Sequence, residues 1–363
     1  MQSFAVRAAI HIAAIFGIYL SLAMLIPAFA DLYYGNSDWR VFALSAFFTG
    51  GLSLAVALAT QGRPPVVSSR FAFLLVNLLW FTTAAAGTIP FLASPMNMEL
   101  SDAVFESVSA VTTTGSTVLV GLDAMAPGIL LWRSILQWMG GLGVIALGLF
   151  ILPFLNVGGV SYFKIESTDI EDRPFERLST FTISLMVIYC LLTLACGIAY
   201  AAAGMDGFDA LNHALTTIST AGFSTHDDSF GHFQGNLAIL WVSIVFMFIG
   251  GLPFSILILL TVRGRLDALR DPQIRAFAGY TASFAILMTI YLRLTSDVPF
   301  FEALTHATFN FVSLVTTTGF STHDYAAWGP FAVALAFIAT VREFFTGPIV
   351  VGGGISGLAG DIS

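Results

Sequence analysis

The sequence predicts an all-α, polytopic transmembrane fold in which two leading spans are followed by repeated modules of helix, re-entrant pore helix and helix. Three observations carry this prediction. Only 10% of the 363 residues are charged and 57% are hydrophobic, whereas a soluble domain of this length carries roughly 25% charge, so most of the surface faces lipid. The apolar runs reach about 20 residues, the length that crosses ~30 Å of hydrocarbon. One glycine-centred segment recurs three times along the chain.

Taken in order, hydropathy places eight spans, at 7–31, 41–60, 70–93, 128–154, 179–203, 235–262, 274–294 and 329–346. The first follows an early Arg7 but no small-residue cleavage site, so it is expected to stay attached. Between later spans lie segments at 102–114, 208–221 and 304–318, too short to cross and too apolar for surface loops, which are expected to re-enter. The expected organisation is an N-terminal two-span segment at 1–62, pore modules at 63–165, 166–265 and 266–346, and a divergent Gly-rich tail at 347–363.

Orientation follows from Lys and Arg, which favour the cytoplasmic side. Arg7, Arg63, Arg70, Lys164, Arg173, Arg177, Arg263, Arg265, Arg270 and Arg275 fall on one side of the predicted topology. The opposite loops at 94–127, 204–234 and 295–328 contain no Lys or Arg but hold eleven carboxylates, among them Glu106, Asp227, Asp228 and Asp324. The re-entrant segments therefore enter from an acidic outer face, where unbalanced negative charge concentrates cations. Solvated surface carboxylates are the plainer alternative for each residue singly.

Composition also excludes partners. A net charge of −8 with scattered basic residues does not fit a nucleic-acid binder. Cys190 and Cys196 share one apolar segment without CxxC spacing and read as packing residues. The lipid bilayer is the partner that composition demands. No cofactor motif stands out except IVVGGGISG at 349–357, which looks like the opening of a dinucleotide-binding turn but lacks the helix, second strand and acidic residue that such a fold needs.

The repeat is the strongest signal. DAVFESVSAVTTTGST at 102–117, DALNHALTTISTAGFST at 209–225 and HATFNFVSLVTTTGFST at 306–322 keep Ala103, Ala210 and Ala307 in register with Gly115, Gly222 and Gly319. Glycine permits backbone angles that let neighbouring carbonyls turn toward one axis, and non-helical backbone at membrane depth is tolerated where it is buried in protein or lines a watery cavity. A dehydrated cation needs such oxygen dipoles. Thr-Thr-Gly also suits a capped helix end with Gly as the left-handed stop, a reading that weakens with three copies in register. His226 and His323, each followed by Asp, read as braces of the loops or solvated side chains rather than metal ligands, since no third ligand is identifiable. His213 and His306 are expected to hydrogen-bond neighbouring modules. Arg133 and Arg342 are expected to snorkel to the interface, and Gly140, Gly141, Gly143, Gly250 and Gly251 with Pro253 mark close packing or bends.

The motifs VTTTGST at 111–117, ISTAGFSTHD at 218–227 and VTTTGFSTHD at 315–324 resemble the filter loops of the Trk/Ktr/HKT potassium-uptake superfamily. QWMGGLGVI at 137–145 is similar to the start of its first inner helix, and the likeness covers residues 1–340. In that family four modules surround one pore. The resemblance implies a selectivity filter made by the carbonyls of Thr113, Thr114, Gly115 and Ser116, of Thr220, Ala221, Gly222 and Phe223, and of Thr317, Thr318, Gly319 and Phe320. It further implies uptake of monovalent cations, K⁺ in particular given Gly rather than Ser at 115, passive or as a symporter, in the inner (plasma) membrane. K⁺ would be the transported ion, with no cofactor and no covalent chemistry. A homodimer is implied, gated by a cytoplasmic nucleotide-binding regulatory subunit of the TrkA/KtrA kind, with the basic loops at 164–177 and 263–275 as docking surface. The family's glycine-rich break in the third inner helix and its fourth module are not found in this sequence. That leaves a truncated product, a split transporter and a self-associating variant as expectations, and a non-conducting structural or regulatory subunit as the alternative function.

Overall fold

The computed structural model describes residues 2–62, 69–155, 174–261, 264, 269–323 and 325–346. Every regular element among the described residues is a helix. The tail at 347–363 with its glycine-rich turn, Asp324, and much of the basic loops at 164–177 and 263–275 lie outside the described residues, as does the side chain of Arg342. The chain divides into two compact units, Met1–Gly140 with Leu149–Asn156, and Gly141–Gly148 with Val157–Ser363.

The first unit holds α1 (Gln2–Ala23), α2 (Leu25–Tyr33), α3 (Trp39–Ala59), α4 (Ser69–Ala93), α5 (Leu100–Val111) and most of α6 (Pro127–Leu155). The span expected at 7–31 is interrupted at Met24, because Pro27 has no N–H to return to the carbonyl of Ala23. α1 packs on α3 and α4, and α4 carries α5. The start of α6 is pinned by Asp31, buried at the end of α2, whose Oδ1 accepts the N–H of Gly128 at 2.6 Å; a carboxylate is favoured at a helix N-terminus. Further along, Trp132 Nε1 donates to the Gly87 carbonyl at 3.1 Å, and a Cβ on Gly140 would collide with the Val111 carbonyl. Close packing is thus the use made of Gly140: it lets α6 lie against the end of α5.

The second unit holds α7 (Pro174–Ala202), α8 (Gly207–Ile218), α9 (Leu237–Gly250), α10 (Phe254–Thr261), α11 (Pro272–Thr295), α12 (Phe300–Val315) and α13 (Pro330–Thr346). α8 lies on α7, α12 lies on α11, and α9 touches both α8 and α12. The single span expected at 235–262 is instead two helices, split at Gly251, Leu252 and Pro253. Proline disfavours helix at the residue before it and cannot donate within one. The glycine before the break serves packing: a Cβ on Gly250 would stand 3.2 Å from Thr220 Cγ2 and 3.3 Å from the Ile218 carbonyl oxygen.

Five stretches of described helix are long and apolar enough to cross a membrane: Ala5–Tyr33, Trp39–Ala59, Arg70–Ala93, Ile183–Ala202 and Pro272–Thr295. The crossings expected at 128–154 and 329–346 correspond to α6 and α13, whose later side chains lie outside the described residues. α5 and α8 have 12 residues and α12 has 16, about 18 to 24 Å of helix, short of the ~30 Å hydrocarbon core. Their lengths are those of re-entrant helices.

Candidate functional site

Each short helix ends in the same hydrogen-bonded turn. Thr113 N–H bonds the Ala110 carbonyl at 3.1 Å and Thr114 N–H the Ser109 carbonyl at 2.9 Å. The second copy pairs Thr220 with Thr217 at 3.1 Å and Ala221 with Thr216 at 3.0 Å, and the third pairs Thr317 with Leu314 at 3.0 Å and Thr318 with Ser313 at 2.9 Å. This is the two-bond motif that closes many helices, and it requires one left-handed residue. That residue is the threonine, with φ of 56° at Thr113, 49° at Thr220 and 55° at Thr317. Gly115, Gly222 and Gly319 are therefore not the helix stop. They take left-handed angles of their own two residues later, at 77°, 82° and 84°.

A β-branched residue in the left-handed region is a true outlier, found where the surroundings over-determine it and function uses it. Here it occurs three times at one register position. Between each threonine and glycine stands a residue of ordinary negative φ. Extended chain points successive carbonyls to opposite sides, whereas alternating the sign of φ swings them toward the same side. The arrangement can present a short row of backbone oxygens to a cation stripped of water.

Side chains hold these loops from behind. Ser109 Oγ donates to the Ser116 carbonyl at 2.6 Å and Ser313 Oγ to the Phe320 carbonyl at 2.7 Å, drawing both carbonyls toward their own short helices. Thr112 and Thr114 hydroxyls lie 2.8 Å apart, Thr316 and Thr318 hydroxyls 2.7 Å. The second copy carries Ser219 and Ala221 there and cannot form this pair.

Every loop ends on a threonine tied back to its helix. Thr117 donates to Glu106 at 2.9 Å, Thr225 donates to Asp209 Oδ1 at 2.7 Å, and Thr322 meets His306 Nδ1 at 3.0 Å and Asn310 Nδ2 at 2.8 Å. His226 does brace its loop, through Asp209 Oδ2 at 3.0 Å, and it stacks on His232 with centroids 3.6 Å apart. His323 is exposed and stands edge-on to His306 at 4.6 Å. His213 and His306 bond Ser224 and Thr322 of their own modules, not neighbouring modules as the sequence led one to expect.

Charge is arranged accordingly. Burial alone would raise Asp209, but hydrogen bonds from His226 and Thr225 and the adjacent imidazoles hold its carboxyl below the ordinary range. Burial pushes His213 down to about 4, against the pull of Asp209, so its ring is neutral. His306 is likewise lowered to about 4 by burial and by His323.

Two expectations are corrected. Glu106, counted among the mouth carboxylates, is wholly buried, and Arg133 does not snorkel: its Nε donates to Glu106 Oε1 at 2.7 Å with 1% of the side chain exposed. The pair sits 27 residues apart on two helices, and only the oddity of one arginine in an apolar span could have hinted at it.

Within the second unit the two loops interlock. A Cβ on Gly222 would collide with the Thr318 carbonyl, Gly231 N–H bonds the Ser321 carbonyl at 3.1 Å, and Phe230 packs on Phe320 at 4.5 Å and His213 at 5.0 Å.

Short helices that enter but do not cross, each ending in an oxygen-rich backbone loop, define a class of polytopic membrane proteins built to pass ions. Comparison with known proteins sharpens this. Residues 42–355 match the TrkH family model, described as cation transport protein. The chain is 37% identical over 339 residues to the Trk system potassium uptake protein TrkI of Halomonas elongata, covering 91% of this chain and 67% of that protein. To TrkH of Escherichia coli K12 it is 36% identical over 340 residues, 91% and 69% of the two lengths. The crystal structure of the potassium transporter TrkH from Vibrio parahaemolyticus superposes with a TM-score of 0.83 at 33% identity, covering 93% of this chain and 70% of that one. The chain belongs to the TrkH family of cation transport proteins, and it is a multi-pass membrane protein.

Proposed function

We propose that the chain takes up K⁺ across the inner membrane, with the ion passing along the carbonyls of residues 113–115, 220–223 and 317–319, those of Ser116 and Phe320 being engaged by Ser109 and Ser313 instead. The observation that carries this is the second left-handed residue of each loop. The helix ends are already closed by threonine, so Gly115, Gly222 and Gly319 have no capping duty, yet all three adopt the angle that only glycine takes readily. The relatives named as potassium uptake proteins support K⁺ as the ion. Passage replaces hydration by fixed dipoles and involves no covalent step and no cofactor. The working assembly is a homodimer, with a cytoplasmic nucleotide-binding subunit docked on the basic loops.

The test is growth of a K⁺-uptake-deficient bacterium at low K⁺, expressing the chain with and without Gly115→Ser. Rescue that the serine variant weakens at equal membrane level supports transport through the first loop. No rescue by wild-type protein present in the membrane would replace this reading by a structural or regulatory subunit.

A further inference from the structure

The residue nine positions before each filter glycine has one geometric job in all three copies and three different chemistries. In the first copy it is Glu106, which accepts from Thr117 Oγ1 at 2.9 Å, from Val118 N–H at 3.1 Å and from Arg133 Nε at 2.7 Å. In the second it is His213, whose Nε2 meets Ser224 Oγ at 3.0 Å. In the third it is Asn310, which donates to Thr322 Oγ1 at 2.8 Å and accepts from Thr322 N–H at 3.3 Å. In each case a buried polar side chain of the short helix reaches forward to the stretch two or three residues beyond the glycine.

We infer that Glu106 is a positioning residue for the first filter loop, locked by Arg133, and that His213 and Asn310 are its counterparts. The first copy is the most demanding. Its loop lacks the phenylalanine that follows Gly222 and Gly319, and so has no aromatic ring there to wedge it in place. The Thr117 hydroxyl takes over as the fixed point. It donates to Glu106, accepts from Arg133 Nη2 at 3.1 Å and accepts from Leu119 N–H at 3.0 Å, which uses its one hydrogen and both lone pairs. Charge-assisted bonds are short and stiff, and an ion-coordinating row must be held to about half an ångström. Arg133 is needed because a buried carboxylate without a partner is costly. The histidine and asparagine struts, being uncharged, need no such partner.

This inference rests on the proposed filter, so the experiment separates the two. The protein is purified in detergent and its melting temperature followed against KCl and NaCl at constant ionic strength. Wild type is expected to gain more from K⁺ than from Na⁺. Glu106→Leu/Arg133→Met removes both charges and leaves an apolar pair, which keeps the fold intact while freeing the loop. This variant is expected to melt as wild type in Na⁺ and to need roughly tenfold more K⁺ for the same gain. Thr117→Val, which leaves the ion pair in place, is expected to shift K⁺ in the same direction by less. A double variant with the wild-type K⁺ response overturns the positioning role and leaves the filter reading standing. Absence of any K⁺-specific gain in wild type overturns the filter reading and this inference with it.

Discussion

The first filter loop and the two in the second unit reach one backbone shape by different means. Around Gly115 the loop is largely exposed and hangs on a buried Glu106–Arg133 pair with the small Ser116 after the glycine. Around Gly222 and Gly319 the residues after the glycine are buried phenylalanines, the polar ties are uncharged or partly so, and the loops touch backbone to backbone. Yet the left-handed angles agree to within a few degrees across all three. When three sets of side chains converge on one main-chain path, the path is what the protein uses, and the side chains are supports.

The comparison can be broken most sharply at the glycines of the second unit. Gly222→Ala must displace the Thr318 carbonyl and hold an unfavourable angle, whereas a Cβ on Gly319 meets nothing within 4 Å. Gly319→Ala should therefore cost only the angle, about 1–2 kcal/mol, and Gly222→Ala should abolish K⁺ uptake and lower the melting temperature well beyond that. Parallel melting curves and uptake assays check it; equal effects at the two sites would show that the loops do not interlock as described.

A smaller but still large effect is expected from charge. Arg133→Met leaves Glu106 buried and unpaired, a loss of about 3–5 kcal/mol, read as lower yield and melting temperature. A cost below about 1 kcal/mol would mean that water reaches the pair and that the first loop is not charge-locked.

The last expected effect concerns pH. His213 titrates near 4 in the folded chain and near 6.5 when exposed. Between those values the unfolded chain binds a proton that the folded one refuses, so stability falls as pH drops from 6.5 toward 4, by on the order of 3 kcal/mol. His213→Gln should flatten that part of the melting-temperature profile, and an unchanged slope would assign the acid sensitivity elsewhere.

Much of this was legible in residue order. The repeat, the registered glycines and the short apolar helices follow from spacing and hydropathy, because backbone geometry of this kind leaves glycine as its mark. What spacing could not reveal was the division of labour inside TTTG: threonine gives no warning of a left-handed angle, so the glycine stood as the sole candidate for a helix stop, in the alternative to a pore loop, and the threonine went unnoticed. Nor could it pair Glu106 with Arg133, since a contact between two helices leaves no period in sequence, and each charge alone looked peripheral. The break at Pro253 was hinted at by Gly250, Gly251 and proline together, yet hydropathy ran straight through it because both halves are apolar. The orientation of His213 and His306 toward their own loops depended on rotamers, which no pattern records.

The contact between Gly222 and the Thr318 carbonyl also bears on descent. Where two loops meet without a side chain between them, as at Gly222, a side chain cannot be added there while the other loop stays as it is. A heavier residue at 222 becomes acceptable only if the third loop moves in the same event, so selection acts on the two as a single inherited character. The first loop carries a like constraint between side chains, because either charge of the Glu106–Arg133 pair changed alone strands the other.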